Sequence, residues 1–206
     1  MRRGFFTAEE VEKLLEASGE GSWLAEMVRF AFATGWRRGE LLSLRWEWVD
    51  GVSGEIRLPD SKNGEGRVIP IAGELVRVME RLGKMRAVKR ADESVALAET
   101  VFHDHGGEIT RKRFILAWTA ARKAANLDGR LFHDFRRSAA RRHIAAGVSQ
   151  AVAMQITGHK TPSMFRRYQI VESSDVARAL DRVAGKKEAP SGARIVGISS
   201  RKRRHS

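Results

Sequence analysis

The sequence predicts a mainly α fold with a small β-sheet or hairpin, an α+β arrangement. Three observations carry this. Apolar residues recur with helical period along most of the chain, and capping residues and glycines mark where those segments start and stop. Between residues 55 and 71 the pattern changes to short β-branched runs around an Asn-Gly turn, after which helical patterning returns.

Taken in order, Thr7-Ala8-Glu9-Glu10 reads as a capping box that opens a helix through about Ala17. Trp23 to about Ala33 is a second, largely buried helix stopped by Gly35, and Gly39 to Trp46 a third. Glu55–Leu58 and Arg67–Ile71 are strands around the Lys62-Asn63-Gly64-Glu65-Gly66 turn, with Pro70 confining the second to an edge or a strand end. Glu74 to about Lys89 is helical, with Leu75, Val78, Met79 and Leu82 on one face. Val101–Asp104 is a short strand or loop before Gly106-Gly107. Helices follow at Thr110–Ala125, His133–Ala146 and Ser149 to about Ile156. Ser163 is the expected cap of a helix carrying Tyr168, and Asp175–Ala184 is the last helix. A basic tail occupies 185–206, where seven lysines and arginines (Lys186, Lys187, Arg194, Arg201, Lys202, Arg203, Arg204) face one acid, Glu188.

With 206 residues, 42% of them hydrophobic, the chain can bury a sizeable core. The formal net charge of +13 points to a polyanion, nucleic acid first. The absence of cysteine excludes disulfides and thiolate zinc sites and fits a reducing cytoplasm. No apolar run approaches the roughly 20 residues of a membrane span, and the N-terminus lacks the apolar stretch of a signal peptide.

The chemistry-bearing residues fall in separate clusters. Thr34-Gly35-Trp36-Arg37-Arg38-Gly39-Glu40 places Arg37 just after the Gly35 stop. It reads either as a solvated arginine or as a guanidinium aimed from a tight turn into a cleft, with Glu40 able to hold it. His133 and Arg136 are three apart, on one helix face, while Asp134 suits the first turn of that helix as a structural residue. His159 follows Gly158 at a helix end and reads as a capping, core or site histidine. Lys62, on a hairpin tip, is either a solubilising charge or a reaching acid. Tyr168, the sole tyrosine, stands nine residues after His159. A phenol has an ordinary pKa of about 10 and needs cationic neighbours to act as a nucleophile. Together the set suits reaction at a phosphodiester: a phenol to attack, arginines to hold the anion, lysine and histidine to move protons.

In order and spacing these clusters resemble the tyrosine recombinase (phage integrase) family. Its pattern is Thr-Gly-x-Arg-x-x-Glu, a hairpin lysine, His-x-x-Arg, then Gly-His with a tyrosine nine residues on. The matches are Thr34 to Glu40, Lys62, His133 to Arg136, and Gly158-His159 with Tyr168, over about residues 5 to 183. The resemblance implies a catalytic domain of the DNA breaking-rejoining type over residues 1–184, with a flexible tail after it and the family's N-terminal core-binding domain absent. It implies that Tyr168 attacks the scissile phosphate of double-stranded DNA to form a 3′-phosphotyrosine. Arg37 and Arg136 would neutralise the non-bridging oxygens, and Lys62 would protonate the leaving 5′ oxygen. His133 would accept or relay the tyrosine proton, His159 would hydrogen-bond a phosphate oxygen, and Glu40 would orient its neighbours. Arg38, Arg67, Arg137, Lys160 and Arg166 are the expected DNA contacts. No metal or other cofactor is expected. Partners would be DNA and further copies of the chain, as a monomer when free and a tetramer on DNA, in the cytoplasm with the nucleoid. Thr157 departs from the pattern, which has an apolar residue before the Gly-His pair. Two other readings are a type IB topoisomerase and a non-catalytic DNA-binding remnant.

Overall fold

A computed structural model describes residues 4–59 and 66–166 and, beyond them, Val176, Ala177, Leu180, Asp181 and Ala184. The chain separates into two compact units, Met1–Ile170 and Val171–Ser206. Helices α1 (Ala8–Ser18) and α2 (Trp23–Thr34) begin where their capping residues put them. Thr7 accepts from the Glu10 amide while Glu10 accepts from the Thr7 amide, closing the capping box, and Ser22 caps α2. Helix α3 is short, Arg38–Leu42, and does not run on to Trp46 as its apolar content suggests. Tertiary pairing takes over instead. The Leu44 carbonyl accepts from Val101, the Trp46 amide donates to Glu99, and Trp46–Trp48 form one 3₁₀ turn.

Strands β1 (Val49–Asp50), β2 (Glu55–Leu58) and β3 (Arg67–Pro70) form an antiparallel sheet in that order. Ile56 pairs with Ile69 and both face the core, while Arg57 and Val68 alternate outward, so register follows the apolar pattern. Pro70 sits at the end of an edge strand, where its missing N–H is harmless. The turn expected at Lys62 to Gly66 lies, except for Gly66, outside the described residues.

Helix α4 (Glu74–Met85) stops short of Lys89, because Ala87–Lys89 (β4) pairs with Val95–Leu97 (β5) in a hairpin whose pattern is too short to separate from a helix end. His103–Asp104 (β6) pairs with Gly107–Glu108 (β7). Helices α5 (Arg111–Ala124), α6 (Asp134–Ala145) and α7 (Gln150–Thr157) follow, with Thr110 and Ser149 as caps. Helix α8 (Pro162–Arg166) opens two residues earlier than a Ser163 cap would allow: Thr161 accepts from the Met164 amide, and Pro162 takes the first helical position. Most of the expected Asp175–Ala184 helix lies outside the described residues. Within it Val176, Ala177, Leu180 and Asp181 are helical.

The core joins α1, α2, α4, α5 and the sheet through Leu14, Met27, Phe30, Ile56, Leu82, Phe102 and Phe114, all at or near zero exposure. Phe135 of α6 stacks on Phe6 at 4.1 Å and meets Phe132 edge-on at 5.2 Å. Burying each such side chain stabilises the fold by about 1.5–3 kcal/mol. A smaller cluster of Ala140, Ala153 and Phe165 joins α6, α7 and α8. The start of α6 and the end of α7 are thereby held beside the end of α2.

Candidate active site

Gly35 ends α2 in the left-handed region (φ 70°) and carries no side chain for a second reason. A Cβ there would lie 2.9 Å from that of Ala139 and 3.2 Å from Cα of Arg136. The glycine lets α6 approach the turn. Trp36 next to it is buried and donates from Nε1 to the Ile156 carbonyl at 3.0 Å, fastening the turn to α7. Arg37 occupies the N-cap of α3. Its amide donates to Glu40 Oε2 at 2.8 Å and its Nη1 to Glu40 Oε1 at 2.9 Å.

Glu40 also receives Arg67, from the first residue of β3. Both Nη groups of Arg67 donate to the carboxylate, at 3.2 and 2.9 Å. The Arg67 guanidinium stacks on Trp36 at 4.6 Å and passes so close to Gly158 that a Cβ there would lie 2.7 Å from its Cζ. With 12% of its side chain exposed, Arg67 faces inward, against a carboxylate and an indole. It fastens the root of the β2–β3 turn to the Arg37 turn and the end of α7. Burial works to raise the Glu40 pKa. Hydrogen bonds and charge from Arg67, with the Arg37 amide and charge, outweigh it and hold the carboxyl below its ordinary value.

Arg136 is only 2% exposed and is held by three backbone carbonyls. Its Nη1 donates to the carbonyls of Gly35 (3.1 Å) and Thr157, and its Nη2 to that of Gly158 (2.7 Å). A cation at the carbonyl end of α7 is favourable for the helix dipole. His133, exposed at the N-cap position of α6, lies one turn before it. Desolvation, then the charges of Arg136, Arg137 and Arg37, push the His133 imidazole below its ordinary value, with Asp134 opposing. His159 is 7% exposed, meets Phe165 edge-on at 5.2 Å, and has Nδ1 2.6 Å from Thr157 Oγ1. Burial first, then the fields of Arg136, Arg37, His133 and Arg67, lower its pKa to about 3. Both imidazoles are therefore held in the neutral form more strongly than a free histidine.

The structure thus brings together Arg37, Glu40, His133, Arg136 and His159. Lys62 and Tyr168 lie outside the described residues. Of the expected DNA contacts, Arg38, Lys160 and Arg166 are exposed, and Arg38 also stacks across Phe114 at 5.4 Å. Arg137 is partly covered, 4.0 Å from Asp134. Sequence reasoning did not single out Trp36, although it lies inside the Arg37 cluster. It noted Thr157 only as a departure. No local signal tied Arg67 to Glu40, because they are 27 residues apart.

The sequence pattern of the phage integrase family matches residues 4–174. A shufflon-specific DNA recombinase of Escherichia coli is 28% identical over 177 residues, covering 85% of this chain and 42% of that protein. The fold is that of XerA recombinase (TM-score 0.69, 19% identity, 91% of this chain and 67% of that one). It is also that of lambda integrase solved as a tetramer bound to a Holliday junction (TM-score 0.62, 21% identity, 82% of this chain and 49% of that one). The chain spans less than half the length of the curated relatives it matches. It belongs to the phage integrase family.

Proposed function

We propose that this member of the phage integrase family breaks and rejoins double-stranded DNA as a site-specific recombinase, through a phosphotyrosine intermediate. The observation that carries the reading is the convergence of Arg37, His133, Arg136 and His159 on the ends of α2, α6 and α7. Two guanidiniums and two neutral imidazoles in one partly desolvated place suit an anionic transition state. In this reading the Tyr168 oxygen attacks the scissile phosphorus as the bond to the 5′ oxygen breaks. The phenol proton passes to His133, and Lys62 gives a proton to the departing 5′ hydroxyl. Arg37 and Arg136 stabilise charge on the non-bridging oxygens, the largest expected effect. Rejoining is the same steps reversed, and the covalent bond conserves the phosphodiester.

The positive charge of the chain supports DNA as partner. Assembly of further copies on DNA is proposed from the lambda integrase tetramer. Among the described residues no helix is long and apolar enough to cross a membrane, and the reading puts the chain with cytoplasmic DNA. Residues 1–184 would form the catalytic body and 185–206 a basic tail that adds affinity.

The test is relaxation of a supercoiled plasmid in EDTA, with a denaturing trap for covalent protein–DNA adducts. Wild type should yield adducts and Tyr168→Phe none. Adducts that persist in Tyr168→Phe contradict the reading. Strand exchange between two duplexes then separates recombination from relaxation alone.

A further inference from the structure

Arg37, Glu40 and Arg67 form a row of charges that runs from the surface inward. The side chain of Arg37 is 38% exposed, that of Glu40 20% and that of Arg67 12%. Glu40 sits between the two cations. Its Oε1 accepts from Nη1 of both arginines, and its Oε2 accepts from the Arg37 amide and from Arg67 Nη2. A carboxylate has about four acceptor sites, so this one is full. Arg67 binds it as a two-pronged fork, the strongest geometry for such a pair. Its guanidinium plane is set by the face of Trp36 and by its close pass over Gly158. Arg37 gives only its amide and Nη1 to Glu40, and among the described residues its Nη2 and Nε make no hydrogen bond. A carboxylate beside Arg37 has two opposed effects. It fixes the guanidinium, and it cancels the charge that a phosphate would meet. Glu40 and Arg37 alone sum to zero charge. With Arg67 the three carry one net positive charge, and Arg37 is the member that faces out.

We propose that Arg67 is a positioning residue that acts through Glu40: it balances the carboxylate, so that Glu40 holds Arg37 in place without cancelling the charge Arg37 presents to a phosphate. This rests on the strand-cutting reading above and adds a third guanidinium to it. Arg37 meets the phosphate, Glu40 fixes Arg37, and Arg67 keeps Glu40 satisfied from behind. The Glu40 carboxyl agrees. Burial works to raise its pKa, and Arg67 heads the influences that outweigh burial and keep it ionised. The charge and the shape of Arg67 then serve different ends. Its charge serves the reaction, while its fork and plane serve the fold. A lysine at this position keeps the first and loses the second.

The experiment times adduct formation by the full chain at saturating DNA, with the denaturing trap, and measures urea midpoints of the same proteins. Arg67→Met keeps the length over Trp36 and loses the charge. It should slow adduct formation by about tenfold, the scale of one unit charge acting through a partly screened site. Arg67→Lys should stay within about threefold of wild type, although its urea midpoint falls. Adding Glu40→Gln to Arg67→Met removes the unbalanced carboxylate and should restore most of the lost rate. In parallel, the chain labelled with ¹³C-glutamate is titrated from pH 7 downward without DNA, with Glu40 assigned by its absence in Glu40→Gln. The Glu40 carboxyl should stay ionised to lower pH in wild type and Arg67→Lys than in Arg67→Met. Rates that simply follow the urea midpoints, a double variant no faster than Arg67→Met, or a Glu40 carboxyl that titrates alike in wild type and Arg67→Met each overturn the proposal. A wild-type chain whose Glu40 responds to Arg67 as described but which never forms an adduct keeps the charge balance and sinks the strand-cutting reading instead.

Discussion

Arg67, partly buried, and Arg136, fully buried, both lie against the segment around Gly158, and they are satisfied in different ways. Arg67 is held by the Glu40 carboxylate and the face of Trp36. Arg136 is held by the carbonyls of Gly35, Thr157 and Gly158. A carboxylate cancels most of the charge it binds. Carbonyl dipoles satisfy N–H groups and carry no formal charge of their own. The first arrangement makes a nearly neutral clamp that holds the β2–β3 root against the Arg37 turn. The second gathers three backbone carbonyls from the ends of α2 and α7 on one guanidinium. The causes of the His159 shift agree, since Arg136 is the leading charge in them and Arg67 the weakest.

The largest effect is expected at Arg136. Arg136→Ala should slow adduct formation by roughly two to three decades, ~3–4 kcal/mol of transition-state stabilisation, while DNA affinity falls far less. It should also lower the urea midpoint, because three carbonyls lose their donor. Single-turnover rates and binding isotherms check this, and a near-normal rate would take Arg136 out of the site.

The next effect tests the field itself. The unfolded chain protonates His159 near its ordinary 6.5, but the folded protein does so only near 3. Stability from this group is complete above 6.5 and is lost as pH falls toward 3, at up to ~1.4 kcal/mol per pH unit for one proton. From pH 6.5 to 5 that is about 2 kcal/mol. His159→Gln should lack this part of the acid sensitivity. Urea unfolding of both proteins at pH 7, 6 and 5 measures the difference, and parallel losses would show that the ring is not shielded as described.

The smallest effect belongs to the clamp. Arg67→Ala should destabilise the fold by about 1–2 kcal/mol, more than an exposed ion pair would. Arg67→Lys should recover little, since lysine has neither the fork nor the plane. Urea midpoints of the two variants decide it, and a change below about 0.5 kcal/mol would put Arg67 with ordinary surface charges and remove the contrast with Arg136.

Much of this molecule was legible from local signals. The Thr7–Glu10 box, the Ser22, Thr110 and Ser149 caps, and the Gly35 and Gly158 stops are short-range devices, and the structure uses them. The α+β class followed from the change of period around residues 55–71. Where local patterning was overruled, the cause was pairing at a distance. Leu44 and Trp46 left the helical path to bridge Val101 and Glu99, and Ala87–Lys89 left α4 to pair with Val95–Leu97. Neither partner can be read from the segment that moves.

The candidate site divides the same way. Residue types and spacings alone determined which side chains have the chemistry for a phosphodiester: Arg37, His133, Arg136 and His159, with Glu40 as a neighbour of Arg37. They did so because helical and turn geometry fixes what lies within a few residues. Only the tertiary structure decided that Arg67 turns inward, that three carbonyls from two helix ends converge on Arg136, and that Thr157 faces the ring of His159. Those outcomes depend on which groups from distant segments are desolvated together, and desolvation is a property of the packed chain.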